Sequence, residues 1–372
     1  MFVKSKKFKY KALENIKRKR QIRKISFGLL VSFTLCLIAC NRTKQDNPAN
    51  GYKLLIGWGT RPPGIVPLDS LIMSDPFVLA DEATQMYYLT GSGGNLWKSA
   101  DLKMWEGPYN YIEIDTASWI GTQPMIWAPE LHKYKNKYYC IATFTNTQLI
   151  VDTVPDRYDV QRRSPHILVS DRPEGPYRPI NKNFYLPEKW STLDGTLWVE
   201  DGKPYLVFCH DWMQIIDGIV KYVELAPDLS GPAGEPTAMF KASDASWPRE
   251  MSSIGELTYG MPLDGYVIDG PFFFRTETNQ LGMLWASWSD KRYAQGVAYS
   301  VSGKLSGPWV QTDKPLNPDN SGHAMLFRTF EGKILLSMHT QSLNPENPGP
   351  RKPVFFEADL SGNELKILGK YP

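Results

Sequence analysis

A unit that recurs five times constrains this chain more than any other feature. From Ser74 onward, short β-branched and aromatic runs bounded by Gly, Pro, Asn and Asp follow one another without sustained 3.6-residue periodicity, which is the pattern of strands and turns. Each unit has an opening segment bearing an acid or a His, a strand, a polar turn, a second apolar strand, and a third strand carrying Ser or Asp. A closing turn follows, as in Gly107-Pro108-Tyr109, Gly175-Pro176-Tyr177, Gly231-Pro232 and Gly307-Pro308-Trp309. Units of this kind cannot bury their apolar faces alone, and radial stacking of four-stranded sheets about an axis is how such repeats bury them. The expected fold is therefore all-β, a five-bladed β-propeller over residues 54–372. A β-sandwich would also supply many short strands, but it gives no reason for the same internal order to recur. The run from Tyr52 to Trp58 is expected to add a strand that closes the ring.

Ahead of the repeats, residues 1–39 read as an export signal. Eleven Lys and Arg stand against the single acid Glu14 within 1–24, and an apolar run from Ile25 to Ala39 follows. A membrane-spanning helix needs ~20 apolar residues; this run is shorter and gives way after Cys40 to the polar stretch Asn41 to Asp46. Leu37-Ile38-Ala39-Cys40 resembles the lipobox of bacterial lipoproteins. That resemblance implies acylation of the Cys40 thiol, residues 40–53 as a lipidated polar tether, and an exported protein anchored to the membrane in the cell envelope, periplasmic or at the surface. An uncleaved signal anchor is the alternative, and it too puts the folded part outside the cytoplasm. Removal of 1–39 leaves 31 basic against 38 acidic residues, so no basic footprint for nucleic acid remains. Cys140 and Cys209 then stay in the domain, each in an apolar run where a buried free thiol is expected.

The innermost strand of each propeller blade begins near the axis, so the residues opening the five units converge there: Asp75, Glu130, Asp194, Asp269 and His323. Singly they have bland explanations, since Asp before Pro or Gly is a common turn residue and a lone His is usually a satisfied structural group. An ionisable residue at the opening of all five units argues otherwise, because an apolar centre would cost far less. Ionisable groups kept in a concave centre point to a polar ligand and perturbed pKa values. Glycoside hydrolysis uses such a set. One carboxyl is protonated to assist the leaving group and one is ionised, and a separation of ~6.5–9.5 Å admits the attacking water and gives inversion. A third carboxylate beside the acid would raise its pKa.

The motifs Ser74-Asp75-Pro76-Phe77, Trp127-Ala128-Pro129-Glu130-Leu131-His132, Leu193-Asp194-Gly195-Thr196-Leu197, Asp269-Gly270-Pro271-Phe272 and Gly322-His323-Ala324 resemble those of glycoside hydrolase family 43, the inverting arabinofuranosidase, xylosidase and arabinanase family. The resemblance spans Ser74 to about Leu368. It implies that Asp75 is the general base, that Asp194 orients the acid and tunes its pKa, and that His323 is the central residue that often binds a calcium or other hydrated ion, with no organic cofactor. The activity it implies is inverting hydrolysis of arabinose- or xylose-containing plant glycans. One position departs from the pattern, because the family's general acid is usually the Glu of Glu-Gly-Pro and this chain has Asp269 there. Asp is one methylene shorter, and a misplacement of ~1 Å can cost ~100-fold in rate. Asp269 stands at the motif's position and ranks first as the acid; Glu250 and Glu256, just before the fourth unit, are the other candidates.

Around the mouth, Phe77, Trp127, Trp198 and Trp212 are candidates to stack on sugar faces, and Glu130, His132, His210 and Arg275 to meet hydroxyls. His323 has no His-x-x-x-His or Cys partner, so zinc is not supported. Residues 146–164 and 239–266 are expected to wall the mouth as loops. Two other functions stay open: a carbohydrate-binding propeller without acid chemistry, favoured by Asp269, and a retaining glycosidase of different specificity, which needs a carboxyl pair ~5–5.5 Å apart.

Overall fold

The apolar runs become strands buried on both faces, because every blade is packed between two others. In the second strand of the third blade, Leu206 and Phe208 join the apolar cluster shared with the second blade, while Val207 and Cys209 join the one shared with the fourth. The fourth blade divides likewise, with Met283 and Trp285 on one side and Leu284 on the other. Successive side chains of a strand point to opposite faces, so a strand is apolar throughout only where both faces are covered. Each fully buried side chain of this size contributes roughly 1.5–3 kcal/mol.

The structure, a computed structural model, describes residues 51–372 apart from 59–60, 156, 254–262, 291 and 345–348. The expected signal, Cys40, most of the tether and Glu256 lie outside the described residues. Five antiparallel sheets stand around an axis as a five-bladed β-propeller. From the inside outward, blade 1 is Phe77–Asp81, Met86–Gly91, Asn95–Ser99 and Met104–Asn110, with Gly64–Pro67 added at its outer edge. Blade 2 is Met125–Tyr134, Lys137–Val154, Tyr158–Ser170 and Arg178–Pro179, and blade 3 is Thr192–Glu200, Lys203–His210, Ile219–Glu224 and Thr237–Lys241. Blade 4 is Asp269–Arg275, Leu281–Ser289, Arg292–Ser300 and Trp309–Gln311, and blade 5 is Ser321–Arg328, Ile334–Thr340, Lys352–Asp359 and Lys366–Lys370.

Two expectations change here. The segment Tyr52–Leu54 does not close the ring; it pairs with Glu113–Asp115, between blades 1 and 2, because the outer edge of blade 1 is already taken by Gly64–Pro67. Each blade draws its strands from one stretch of chain, and the seam between blades 5 and 1 is closed without a shared strand, by the Met73 N–H donating to the Arg351 carbonyl (3.0 Å) and by side chains. Ser337 Oγ donates to the Pro76 carbonyl (3.0 Å), the Asp75 N–H donates to His339 Nδ1 (3.2 Å), and Met325, Phe327 and Phe355 pack with Phe77 and Tyr87 in one cluster. Nor is 146–164 a loop. The second and third strands of blade 2 run on past the blade as a two-stranded ribbon, with register shifts between Val160 and Arg162. Its tip is pinned by an Arg157–Asp264 ion pair and by Tyr158 Oη donating to the Met213 carbonyl (3.1 Å).

Candidate active site

The innermost strands of blades 2 to 5 are interrupted near their starts by the same one-residue bulge, and in blade 1 the strand begins at Phe77, two residues after the matching position, Asp75. Strand partners shift register between Trp127 and Glu130, Leu193 and Thr196, Asp269 and Phe272, and Gly322 and Met325. The residue at this position lies in the left-handed region in each blade: Asp75 (φ 57°), Ala128 (39°), Asp194 (53°), Gly270 (56°) and His323 (55°). This conformation costs a non-glycine residue about 1–2 kcal/mol, and bulges of this kind re-aim a side chain. The register corrects the expectation that all five opening residues are equivalent. Asp75, Asp194 and His323 share one position; Ala128 and Gly270 fill it in blades 2 and 4. Asp269 stands one residue before the bulge, and Glu130 two residues after it, level with Phe77, Thr196, Phe272 and Met325. At Gly270 a Cβ would lie 2.9 Å from the His323 ring, so glycine is what lets that imidazole reach the axis.

Four of the five amides at this position are satisfied from the neighbouring blade. Asp75 N–H donates to His339 Nδ1, Ala128 N–H to Ser92 Oγ (2.9 Å) and Asp194 N–H to Thr143 Oγ1 (2.8 Å). In blade 3 the position matching Thr143 is Cys209, and the Gly270 N–H donates instead to Asp194 Oδ2 (2.9 Å). Both thiols, Cys140 and Cys209, are free and buried, as expected.

Two carboxyls in this ring are driven to opposite charge states. Burial works against ionising Asp75, but His323 Nδ1 lies 3.3 Å from its Oδ1, and this cation holds the carboxyl well below the usual range. Ser92 Oγ donates to its other oxygen. Asp269 is pushed the other way, up to about 7, by burial and then by the neighbouring Asp194, against the pull of His323 and of Tyr293 Oη, which donates to Asp269 Oδ2 (2.9 Å). Burial and the charge of Asp75 raise Asp194 to about 6. His323 is raised despite its burial, because Asp75, Asp194, Asp269 and Glu130 all favour the imidazolium. The ring therefore favours an ionised Asp75, the imidazolium form of His323 and a proton on the Asp269–Asp194 pair.

A family model, glycosyl hydrolases family 43, matches residues 66–357. The chain belongs to that family. It is a glycosidase. Among solved structures, an endo-arabinase from Bacteroides thetaiotaomicron is similar at 35% identity, over 78% of this chain and 96% of that one, with a TM-score of 0.68. A thermostable family-43 glycoside hydrolase is similar at 20% identity, over 82% and 96%, with a TM-score of 0.65. An α-L-arabinanase from Cellvibrio cellulosa, solved with arabinohexaose, is similar at 14% identity, over 80% and 95%, with a TM-score of 0.53. The last two show the fold alone. No curated protein matches the chain.

Within this family 43 centre the other expected residues separate into layers. Phe77 and Glu130, with Asp75, Gly270, His323 and Met325, line a small cavity with room for about one water molecule. His132 lies alongside, its Nε2 2.8 Å from Glu130 Oε2 and its ring 5.3 Å from that of Phe77. Trp127 is half-buried, 6.3 Å edge-on from Trp58, itself 44% exposed, and beneath the Arg163 guanidinium (5.3 Å). Trp198 and Arg275 are not at the mouth. Trp198 is four residues, ~13 Å, beyond Asp194 and packs on Phe273, with Arg275 over its ring. Trp212 is buried against Met251, Leu263 and Val267, and His210 is stacked on Trp190. Glu250 is exposed and accepts from Ser252 Oγ (2.9 Å). As for a metal, His323 Nδ1 faces Asp75 and Asp194, leaving one ring nitrogen, and among the described residues no group of three or more His, Cys, Asp or Glu is arranged to enclose an ion.

Sequence reasoning missed Tyr293, His339, Ser92 and Thr143. The last three share a signal, a polar residue where the second, otherwise apolar strand of a unit reaches the axis. Tyr293 has no such signal, since it reaches the centre from the third strand.

Proposed function

We propose that the chain hydrolyses arabinose-containing plant glycans with inversion, using Asp75 as general base, Asp269 as general acid and Asp194 as the residue that holds the acid protonated. The observation that carries this is a pair of part-buried carboxyls in one ring with opposite surroundings, the His323 ring 3.3 Å from Asp75 and the Asp194 carboxyl and Tyr293 hydroxyl beside Asp269. Water attacks the anomeric carbon as Asp75 takes one of its protons; the C–O bond to the leaving group breaks, and the Asp269 proton goes to the departing oxygen. Solvent then returns a proton from Asp75 to Asp269. The identity shared with an endo-arabinase favours arabinan over xylan as substrate.

Trp127, reinforced by Trp58 and Arg163, is the sugar platform in this proposal, with C–H groups of the furanose on its face. A hydrated calcium would bind through the remaining nitrogen of His323 and supply positive charge where the imidazolium proton otherwise does. Export and lipid anchorage at Cys40 belong to the same proposal and rest on the sequence of residues 1–46.

The test is hydrolysis of arabinan, xylan and their aryl glycosides by residues 41–372, with the anomer first formed read by proton NMR. Inverted arabinose or arabino-oligosaccharide is expected. Product of retained configuration would remove Asp75 as a base acting through water, and release from xylan alone would move the substrate.

A further inference from the structure

We propose that Tyr293 is a positioning residue matched to the shortened acid: by engaging Oδ2 of Asp269 it fixes the carboxyl plane and leaves the transferable proton on Oδ1. The inference rests on Asp269 being the acid.

Tyr293 comes from the third strand of blade 4 and crosses to the start of the innermost strand, where its hydroxyl donates to Asp269 Oδ2 at 2.9 Å. Its ring is held on every side. It stacks on His339 (centroids 5.3 Å, planes 16° apart), meets Trp288 edge-on (5.9 Å), and lies under the Arg351 guanidinium (5.2 Å). Gly322 completes the slot, because a Cβ there would lie 2.7 Å from two carbons of the ring. The Tyr293 N–H donates to Asn320 Oδ1 (3.2 Å), and the residue is 4% exposed.

A phenylalanine would fill this slot equally well, so packing alone does not account for the hydroxyl. Its function follows from carboxyl chemistry. An oxygen that accepts a phenolic hydrogen bond has a lone pair occupied and its basicity lowered, so the carboxylic proton resides on the other. Burial and the carboxylates of Asp269, Asp75 and Asp194 raise the phenol far above its ordinary pKa, against the pull of Arg351, so it stays a donor. Asp269 itself faces Asp194, His323, Asp75 and Tyr293. An acid one methylene short has little tolerance for a wandering plane, since an error of ~1 Å is worth ~100-fold.

The test compares the full chain with Tyr293→Phe and Asp269→Asn on aryl glycosides of the preferred sugar, from phenyl to 2,4-dinitrophenyl leaving groups. Phenyl release needs the acid and dinitrophenyl release needs it little. For Tyr293→Phe we expect a ~10–100-fold loss of kcat on the phenyl glycoside, a loss of ~3-fold or less on the dinitrophenyl one, and an unmoved KM. Equal losses along the series, or none, would overturn the inference. If Asp269→Asn is itself flat along the series, the acid assignment fails and the inference goes with it; a steep Asp269→Asn beside a flat Tyr293→Phe sinks the inference alone. Dinitrophenyl turnover doubles as the folding control. Should Tyr293→Phe fail it, Gly322→Ala, which displaces the ring without removing the hydroxyl, must show the same leaving-group dependence, and a flat loss there overturns the inference equally.

Discussion

Asp75 and Asp269 are the same functional group in the same part-buried ring, yet one is held ionised and the other is drawn towards its protonated form. Around Asp75 the neighbours are His323, pushed towards its imidazolium form, His339, pushed towards its neutral form, and the hydroxyl of Ser92. Around Asp269 they are a second carboxyl, Asp194, and a phenol. Desolvation acts on both; what separates them is that the charge of His323 dominates at Asp75 and that of Asp194 at Asp269. Side-chain identity thus fixes neither role, and the two corners are best understood as one device that moves a proton's worth of charge across the axis.

The widest break of this comparison is neutralisation of the two carboxyls in turn. Asp75→Asn is expected to lower kcat/KM by ~10³-fold or more on every leaving group, while Asp269→Asn loses ~10²–10³-fold only where the leaving group is poor. Steady-state kinetics on the aryl series checks this, and leaving-group dependence in Asp75→Asn instead would exchange the two roles. A smaller effect follows from Asp194→Asn. It removes the charge that helps keep the proton on Asp269, so the alkaline limb of the pH–rate profile should move down by ~1 unit; an upward move would mean that Asp194 acts through contact and not through charge.

The smallest effect is on stability. The folded protein holds the Asp269 proton more tightly than the unfolded chain, so this group's stabilising contribution is present below ~pH 4 and is lost as pH rises through about 7. The Asp75 corner has the opposite slope. His339, lowered to about 4 chiefly by burial, contributes stability above ~6.5 that is lost as pH falls towards 4. Asp269→Asn should therefore raise the melting temperature at pH 8 by a few degrees, roughly 1–3 kcal/mol, with no gain at pH 4. A gain equal at both pH values would show that the benefit comes from packing.

The blades were legible because a strand covered on both faces leaves a continuous apolar run, and five runs in one order admit few architectures. The centre was legible in part. Asp75, Asp194 and His323 occupy one structural position, and their repetition in sequence reflects a real backbone equivalence. Glu130 and Asp269 only appeared to share it, since a one-residue bulge is a property of the backbone ladder that side-chain types do not report. The ribbon at 146–164 carries too many polar residues to read as strand, and it pairs only with itself. Tyr293 and His339 were missed for a different reason: His339 meets Asp75 across 264 residues, and Tyr293 reaches the ring from the third strand of its blade.

The seam between blades 5 and 1 carries a consequence for how the enzyme can change. With no strand shared across it, the ring is held shut by hydrogen bonds that include Asp75–His339, Pro76–Ser337 and the Met73–Arg351 backbone pair, and by an aromatic cluster, so part of the latch of the molecule is also the scaffold of its proposed base. Mutations that let the ring gape would be visible to selection as lost turnover long before they were visible as lost protein. In such a lineage, fidelity of folding is policed by catalysis itself.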